Sequence, residues 1–183
     1  MCIRDRCQDS ASAQPMIAEF RRCALDAGID PDAVTGSTED NVATTQTGVG
    51  VTIIGVMHHE DVPKSLDGDV LVCVGAPISA PNDDVALGRR EIVGVTEVKA
   101  LMASGKVHDR VPVGSHGVAW EAKQLASTAG LRVAFQPTDV DLTRSGGPAT
   151  CVVMACAKTN LEQLHALVTV SYTHLRAHET RGN

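Results

Sequence analysis

The 183-residue sequence predicts a layered α/β or α+β fold in two unequal parts, and three observations carry that expectation. Strand-like and helix-like segments alternate along most of the chain, the pattern of sheets covered by helices. The strand-like runs at 49–57, 70–76 and 149–157 are largely apolar, and the first of them reads as a buried strand. Only 2% of the residues are aromatic, so the layers must pack through Val, Ile, Leu, Ala and Met.

Taken in order, residues 14–27 form the first expected helix. Met16, Ile17, Phe20, Cys23, Ala24 and Ala27 recur at helical spacing, and Gly28 suits a C-terminal stop. A turn at 29–34 leads into a polar stretch, 35–48, rich in Gly, Thr and acids. Residues 49–57, VGVTIIGVM, read as a buried strand. A linker with Pro63 follows. His58, His59 and Glu60 read as a solvated strand end, because neighbours along a strand point to opposite faces. Beyond the strand at 70–76, the sequence predicts a polar loop at 81–90 and a short helix over 95–103. A Gly- and Pro-punctuated loop is expected at 108–117. The helix over 116–129 carries Trp120 as a core or interface anchor. A strand at 131–135, a loop at 139–148, a strand at 149–157 and a helix over 160–168 complete the chain, the last with Asn160 as N-cap. No internal repeat is visible.

Charge and composition narrow the function. The formal net charge is -6 and Lys and Arg do not cluster, which argues against nucleic-acid binding. The apolar runs are too short to span a bilayer, and no signal peptide is evident. The expectation is a soluble cytoplasmic protein without membrane partners. None of the six cysteines forms a C-x-x-C pair or stands at zinc-finger spacing from a His. Cys73, Cys151 and Cys156 fall in Val-rich runs, where a thiol serves as a small hydrophobe.

Three segments have the composition of a ligand site. In TGSTEDN and the threonines after it, Gly36 permits a tight turn or close approach. Ser37, Thr38, Thr44 and Thr45 offer hydroxyls. Glu39 and Asp40 offer hard oxygen ligands suited to magnesium. The same stretch also reads as a solvated loop with an Asx-type turn. HDRVPVGSHG places Asp109 and Ser115 on a loop feeding a helix N-terminus, where backbone N–H groups can hold phosphate; Ser115 serves equally well as an N-cap. SGGP at 145–148 allows close ligand approach or a simple turn.

The order TGSTEDNVATTQTGVGVTIIGVM, GDVLVCVGAP, HDRVPVGSHGVAWEAKQLA and SGGPATCVVMACAKTNLEQL resembles the aminoimidazole ribonucleotide synthetase-like (PurM-like) superfamily over residues 14–168. That group includes a purine cyclo-ligase, thiamine monophosphate kinase, selenide water dikinase and a hydrogenase-maturation protein. TGSTEDN and PVGS-x-G-x-x-x-EA are similar to the synthetase-related proteins of cobamide salvage, alpha-ribazole kinase among them. The resemblance implies a partial N-terminal PurM-like, ATP-binding domain at 7–61 and a C-terminal PurM-like α/β sandwich at 62–169.

By resemblance, Gly36, Ser37, Thr38, Asn41, Thr45, Gly114, Ser115 and Gly117 would bind ATP or shape its neighbourhood. Glu39 and Asp40 would hold Mg2+, and Asp109 would orient or deprotonate the acceptor. The implied activity is ATP-dependent phosphoryl transfer to a small, alpha-ribazole-like molecule in a homodimeric parent. The alternatives are a cyclo-ligase and a hydrogenase-maturation factor. Ser37 stands where relatives carry an acid or His before the Thr. Relatives also carry an upstream acidic, Gly-rich segment that this chain lacks, so the chain is expected to be inactive alone. Residues 49–57 are expected to have an unsatisfied strand edge. MCIRDR at 1–6 and the tail 170–183, with SYTHLRAHET, resemble translated sequencing-adapter read-through. Both ends are expected to lie unpacked.

Overall fold

The structure, a computed structural model, describes residues 1–7, 9–56, 62–86, 88–147, 149–170 and 172–181, with Leu175 the one described side chain in the last span. The chain divides into two compact units, Met1–Glu60 and Asp61–Asn183. The cluster at 58–60 lies outside the described residues.

In the first unit, strand β1 (Cys2–Arg6) leads into helix α1 (Ser10–Asp26), strand β2 (Thr35–Glu39) and strand β3 (Gly48–Thr52). The carboxylate of Asp9 caps α1 by accepting from the Ser12 N–H and hydroxyl, both at 2.8 Å. The sheet order is β2-β1-β3, with β2 parallel and β3 antiparallel to β1. Helix α1 is thus the crossover that a parallel pair requires. Ile3, Ala24 and Val34 form the buried cluster, with Met1 and Phe20 against it.

This arrangement overturns three expectations. The amino-terminal segment does not lie unpacked: β1 is the central strand, and Ile3 and Asp5 are buried. TGSTE is a strand and not a loop. Residues 49–57 are not a buried strand: β3 ends at Thr52, all five of its residues are exposed, and Ile53, Ile54 and Val56 stand in solvent. Among the described residues β1 is the one strand paired with β3, whose outer edge is unpaired there. Met57 lies outside the described residues.

The second unit runs β4 (Val70–Gly75), α2 (Val95–Ala103), β5 (Val107–Pro112), α3 (Val118–Thr128), β6 (Leu131–Ala134), β7 (Cys151–Cys156), α4 (Leu161–His165) and β8 (Tyr172–Arg181). Its sheet has the order β5-β7-β4-β8-β6, every pair antiparallel. Alternation along β4 and β7 sends Leu71, Cys73, Cys151, Val153 and Ala155 to the face packed on Val118, Ala122 and Leu125 of α3. Val70, Val72, Val74, Val152, Met154 and Cys156 go to the other face, against Leu101 of α2 and Leu164 of α4. Helices on both faces explain why these strands read as continuous apolar runs.

The carboxy-terminal segment is likewise packed, not loose. β8 pairs with β4 and β6, and Leu175 is fully buried. HDRVP is strand β5, so only 113–117 remains of the expected ten-residue loop. Helix α3 begins at Val118, with Gly117 as its N-cap in place of Ser115. Trp120 is exposed, not a core anchor. Asn160 occupies the N-cap position of α4, but its side chain makes no capping bond.

All six cysteines are free thiols. Burial, followed by the nearby Asp69 charge, pushes Cys156 up to about 11. A hydrogen bond with Cys151 and burial raise Cys73 further. Both are therefore neutral packing groups near neutral pH. Among the described residues no helix is long and apolar enough to cross a membrane.

Candidate phosphate cavity and glycine loop

In the first unit, β2 runs beside β1 so closely that a Cβ on Gly36 would fall 2.2 Å from the Ile3 carbonyl oxygen. Glycine is demanded here by strand packing. Between this pair of strands and α1 lies a cavity of about 350 Å³ whose lining includes Asp5, Arg21, Thr35, Gly36, Ser37 and Thr38. That size suits a small polar group or one part of a larger ligand. The Thr38 hydroxyl donates to Asp5 Oδ2 at 3.1 Å, and Asp5 Oδ1 accepts from the Cys7 thiol at 3.2 Å. Arg21 lines the cavity and is the one cationic residue of that lining.

The other residues singled out in TGSTEDN fall outside that lining. Glu39, Asp40 and Asn41 are exposed, and the Asp40 carboxylate accepts from the Ser10 hydroxyl. Among the described residues, no three His, Cys, Asp or Glu side chains gather to hold a metal ion. Glu39 and Asp40 belong to no such group. Thr45 lies apart, in a shallower hollow with Thr44, Gln46 and Thr47. The Thr44 hydroxyl there is buried without a hydrogen-bond partner.

In the second unit the two glycine segments meet. The Gly146 N–H donates to the Gly114 carbonyl at 3.0 Å, and a Cβ on Gly146 would fall 2.8 Å from Val113 Cγ1. Gly117 has φ 81°, and its Cβ would lie 2.7 Å from the Thr143 carbonyl carbon. Ser115 and His116 are exposed between these fixed points. The flanking turn is held by Asp141, which accepts from Thr143 N–H at 2.9 Å, Thr143 Oγ1 at 2.8 Å and Arg144 N–H at 3.2 Å. Those bonds, the Thr143 N–H first, hold its carboxyl below the usual carboxylate range. Arg144 pairs with Asp83. The Ser79 N–H, bonded at 2.8 Å, and then Arg144 hold Asp83 low as well.

Asp109 is placed differently from its expected loop position. It is buried within β5, where Oδ2 accepts from Ser65 N–H at 3.3 Å and Oγ at 3.4 Å, and Oδ1 from Arg110 N–H at 2.8 Å. Five residues of extended chain put Gly114 about 16 Å further on, so Asp109 and the glycine loop are not brought together. Beside it, His108 Nδ1 meets the buried Asp69 carboxylate at 2.9 Å. Both pairs tie β5 to the segment entering β4.

Sequence pattern alone does not bring Arg21 and Asp5 to the cavity. Arg21 follows Ile17 by four residues, so helical spacing places it on the same side as the apolar face. Asp5 comes to the cavity through the pairing of β1 with β2, which local pattern at 1–6 does not show. Trp120 is expected as a core or interface anchor, and its exposure removes the first of these.

Comparison with known structures decides the architecture. The chain aligns over its full length with HypE in a HypE–HypF complex, at 10% identity and TM-score 0.63, spanning 72% of that chain. It aligns as completely with E. coli HypE, a hydrogenase maturation protein, at 14% identity and TM-score 0.63, spanning 67%. T. maritima PurL complexed with ATP gives 12% identity and TM-score 0.63, with this chain spanning 34% of PurL. The chain has the PurM-like fold. At these identities the likeness speaks for the PurM-like architecture alone. No family model matches the sequence, and no curated protein matches it.

Proposed function

We propose that this chain belongs to an ATP-dependent enzyme that transfers a phosphoryl group to a small molecule, with the alpha-ribazole class as preferred acceptor. The observation that carries the proposal is the cavity beside β2. Arg21, Thr35, Ser37 and Thr38 line it, on the segment whose sequence resembles a nucleotide-binding motif. A guanidinium and hydroxyl donors are the groups that hold phosphate oxygens. Phosphoryl transfer depends chiefly on positioning and charge stabilisation. PurL, which shares the fold, has been solved with ATP, ADP and AMPPCP. The Gly114, Ser115 and Gly117 loop is assigned to ligand binding in the second unit. Asp109, held by Ser65, is assigned to positioning that unit's entry strand.

Calorimetric titration of ATP, with and without Mg2+, tests the reading. The chain should bind ATP, and Arg21→Ala should weaken binding about tenfold, the value of one charge-assisted contact. Equal affinity in the variant would place the nucleotide elsewhere.

A second reading is a maturation or assembly factor acting through protein contacts. It is favoured by the likeness to HypE, solved in complex with HypF. The exposed Val49, Val51, Ile53, Ile54 and Val56 beside the free edge of β3 also favour it. The same edge suits pairing with a second copy of the chain. Sedimentation separates the two: self-association abolished by Val51→Lys supports a homodimer, and a monomer that still binds ATP leaves the edge to another protein.

A further inference from the structure

The chain has one Trp, one Tyr and two Phe, and the second unit's core is filled almost wholly by aliphatic and sulfur side chains. A lone indole in such a sequence is a large apolar group that a core readily absorbs. Yet Trp120 is 48% exposed. The opposite side of α3 is fully engaged, with Val118, Ala122, Leu125 and Ala126 buried, so Trp120 faces outward from a fixed helix. The exposed His116 ring lies one helical turn away, its centroid 5.1 Å from the indole and its plane tilted by 32°.

The ground beneath these rings is rigid. Gly117, between them in sequence, leaves no room for a methyl against the 142–143 backbone. The Ala119 N–H is bonded to the Leu142 carbonyl at 2.8 Å. On the loop side, a Glu121 carboxylate oxygen stands 3.4 Å from where a Gly114 Cβ would be, available to accept a hydrogen bond. Pre-ordered aromatic area costs little entropy on binding.

We propose that His116 and Trp120 form a stacking platform for a planar heteroaromatic ring. The ring would be the base of a nucleoside-like ligand, with Glu121 accepting from the ligand's hydroxyl or N–H groups. This rests on the reading of the 114–117 loop as part of a small-molecule site and names the ligand class it takes: an aromatic nucleoside, not a plain sugar or an aliphatic acid.

Because Trp120 is the single Trp, its fluorescence in the full chain reports the site directly. Benzimidazole riboside should quench it saturably, and ribose should not. Trp120→Leu should weaken riboside binding about tenfold by calorimetry, the order found for a base stacked on an aromatic ring. Trp120→Phe should retain most of the affinity, and His116→Ala should lose less than Trp120→Leu. The melting temperature of Trp120→Leu should stay unchanged, as expected of an exposed side chain. Quenching that rises linearly without saturation would overturn the platform, as would riboside affinity indifferent to Trp120→Leu. So would an indole signal that changes with protein concentration alone, since the ring would then cover a second copy. ATP titration of the same variant separates this idea from the phosphoryl-transfer reading. If ATP binds and the riboside does not, the platform fails alone. Saturable riboside stacking without ATP binding leaves the platform standing and removes the kinase.

Discussion

In the second unit β4 and β7 bury all twelve of their residues, whereas in the first unit all five residues of β3 are exposed. The two sheets differ in what covers them. Five strands lie between α3 on one face and α2 with α4 on the other, while among the described residues the three strands of the first unit are covered by α1, and the buried cluster there is three residues. A strand gains stability from its apolar side chains only where a second layer meets them. The candidate phosphate cavity occurs in the thinly covered unit, beside an edge strand. The glycine loop of the other unit is held on a filled core.

The largest effect that follows is on stability. Leu71→Ala, in the centre of the second unit, should cost roughly 2–5 kcal/mol, the range for truncating a fully buried leucine. Ile54→Ala, at 84% exposure, should change stability by no more than about 0.5 kcal/mol. Denaturant melts of the two variants make the comparison. A large loss from Ile54→Ala would show that these aliphatics are covered in solution.

A smaller effect separates glycines chosen for space from those chosen for backbone angle. Gly117 and Gly105 both have positive φ, 81° and 66°, but a Cβ on Gly105 would meet nothing within 4 Å. Gly105→Ala should therefore cost about 1–2 kcal/mol, the left-handed penalty alone. Gly117→Ala should cost more, because its Cβ also collides with backbone at 142–143, and it should disturb the neighbouring loop. Thermal melts rank the pair, and equal losses would mean that the 141–144 turn yields without resistance.

Much of the second unit was legible in the sequence. Residues 95–103 are helical as read, and the apolar runs around Val72 and Val153 are central strands, because unbroken β-branched runs leave few alternatives. HDRVP was misread as loop. Its His and Asp looked solvent-seeking, but long-range partners satisfy them: His108 pairs with Asp69 and Asp109 with Ser65, contacts that local pattern does not contain. In the first unit, TGSTE was read as loop because its composition is polar. It is a strand because β1 supplies a parallel partner 33 residues earlier. The same pairing refuted the expectation that residues 1–6 would lie unpacked, since local charge says nothing about a vacant strand position. Of the residues lining the candidate cavity, Gly36, Ser37 and Thr38 stand out by composition. Arg21 required knowing which side of α1 meets the sheet.

The smallest effect concerns pH, and it too divides between the units. In the second unit Asp83 and Asp141 are held below the usual carboxylate range by hydrogen bonds within loops, from Ser79 N–H and Thr143 N–H first. In the first unit Asp9 and Glu19 are held low by Ser12 and Arg22, on the single helix α1. A carboxyl with a lowered folded-state value binds its proton more readily when unfolded. Its contribution is present above the unfolded value, near 3.8 for Asp, and is lost as pH falls through the folded one. Stability should therefore hold between pH 7 and 5 as far as these groups decide it, and decline below about 4. Asp9 and Asp141 are exposed and Glu19 and Asp83 partly so, so each effect is screened and modest. The two units respond differently in kind. Protonating Asp9 and Glu19 should fray α1, read as lost helical circular dichroism. Protonating Asp83 and Asp141 should loosen the 79–84 turn and the 141–144 turn, whose Leu142 carbonyl accepts from the Ala119 N–H next to Trp120, with little loss of helix, read as a shift in Trp fluorescence. Asp141→Asn, which keeps an acceptor but cannot titrate there, should flatten the fluorescence change below pH 4 and leave the helical signal as it was. An unaltered fluorescence profile in that variant would remove Asp141 as the cause.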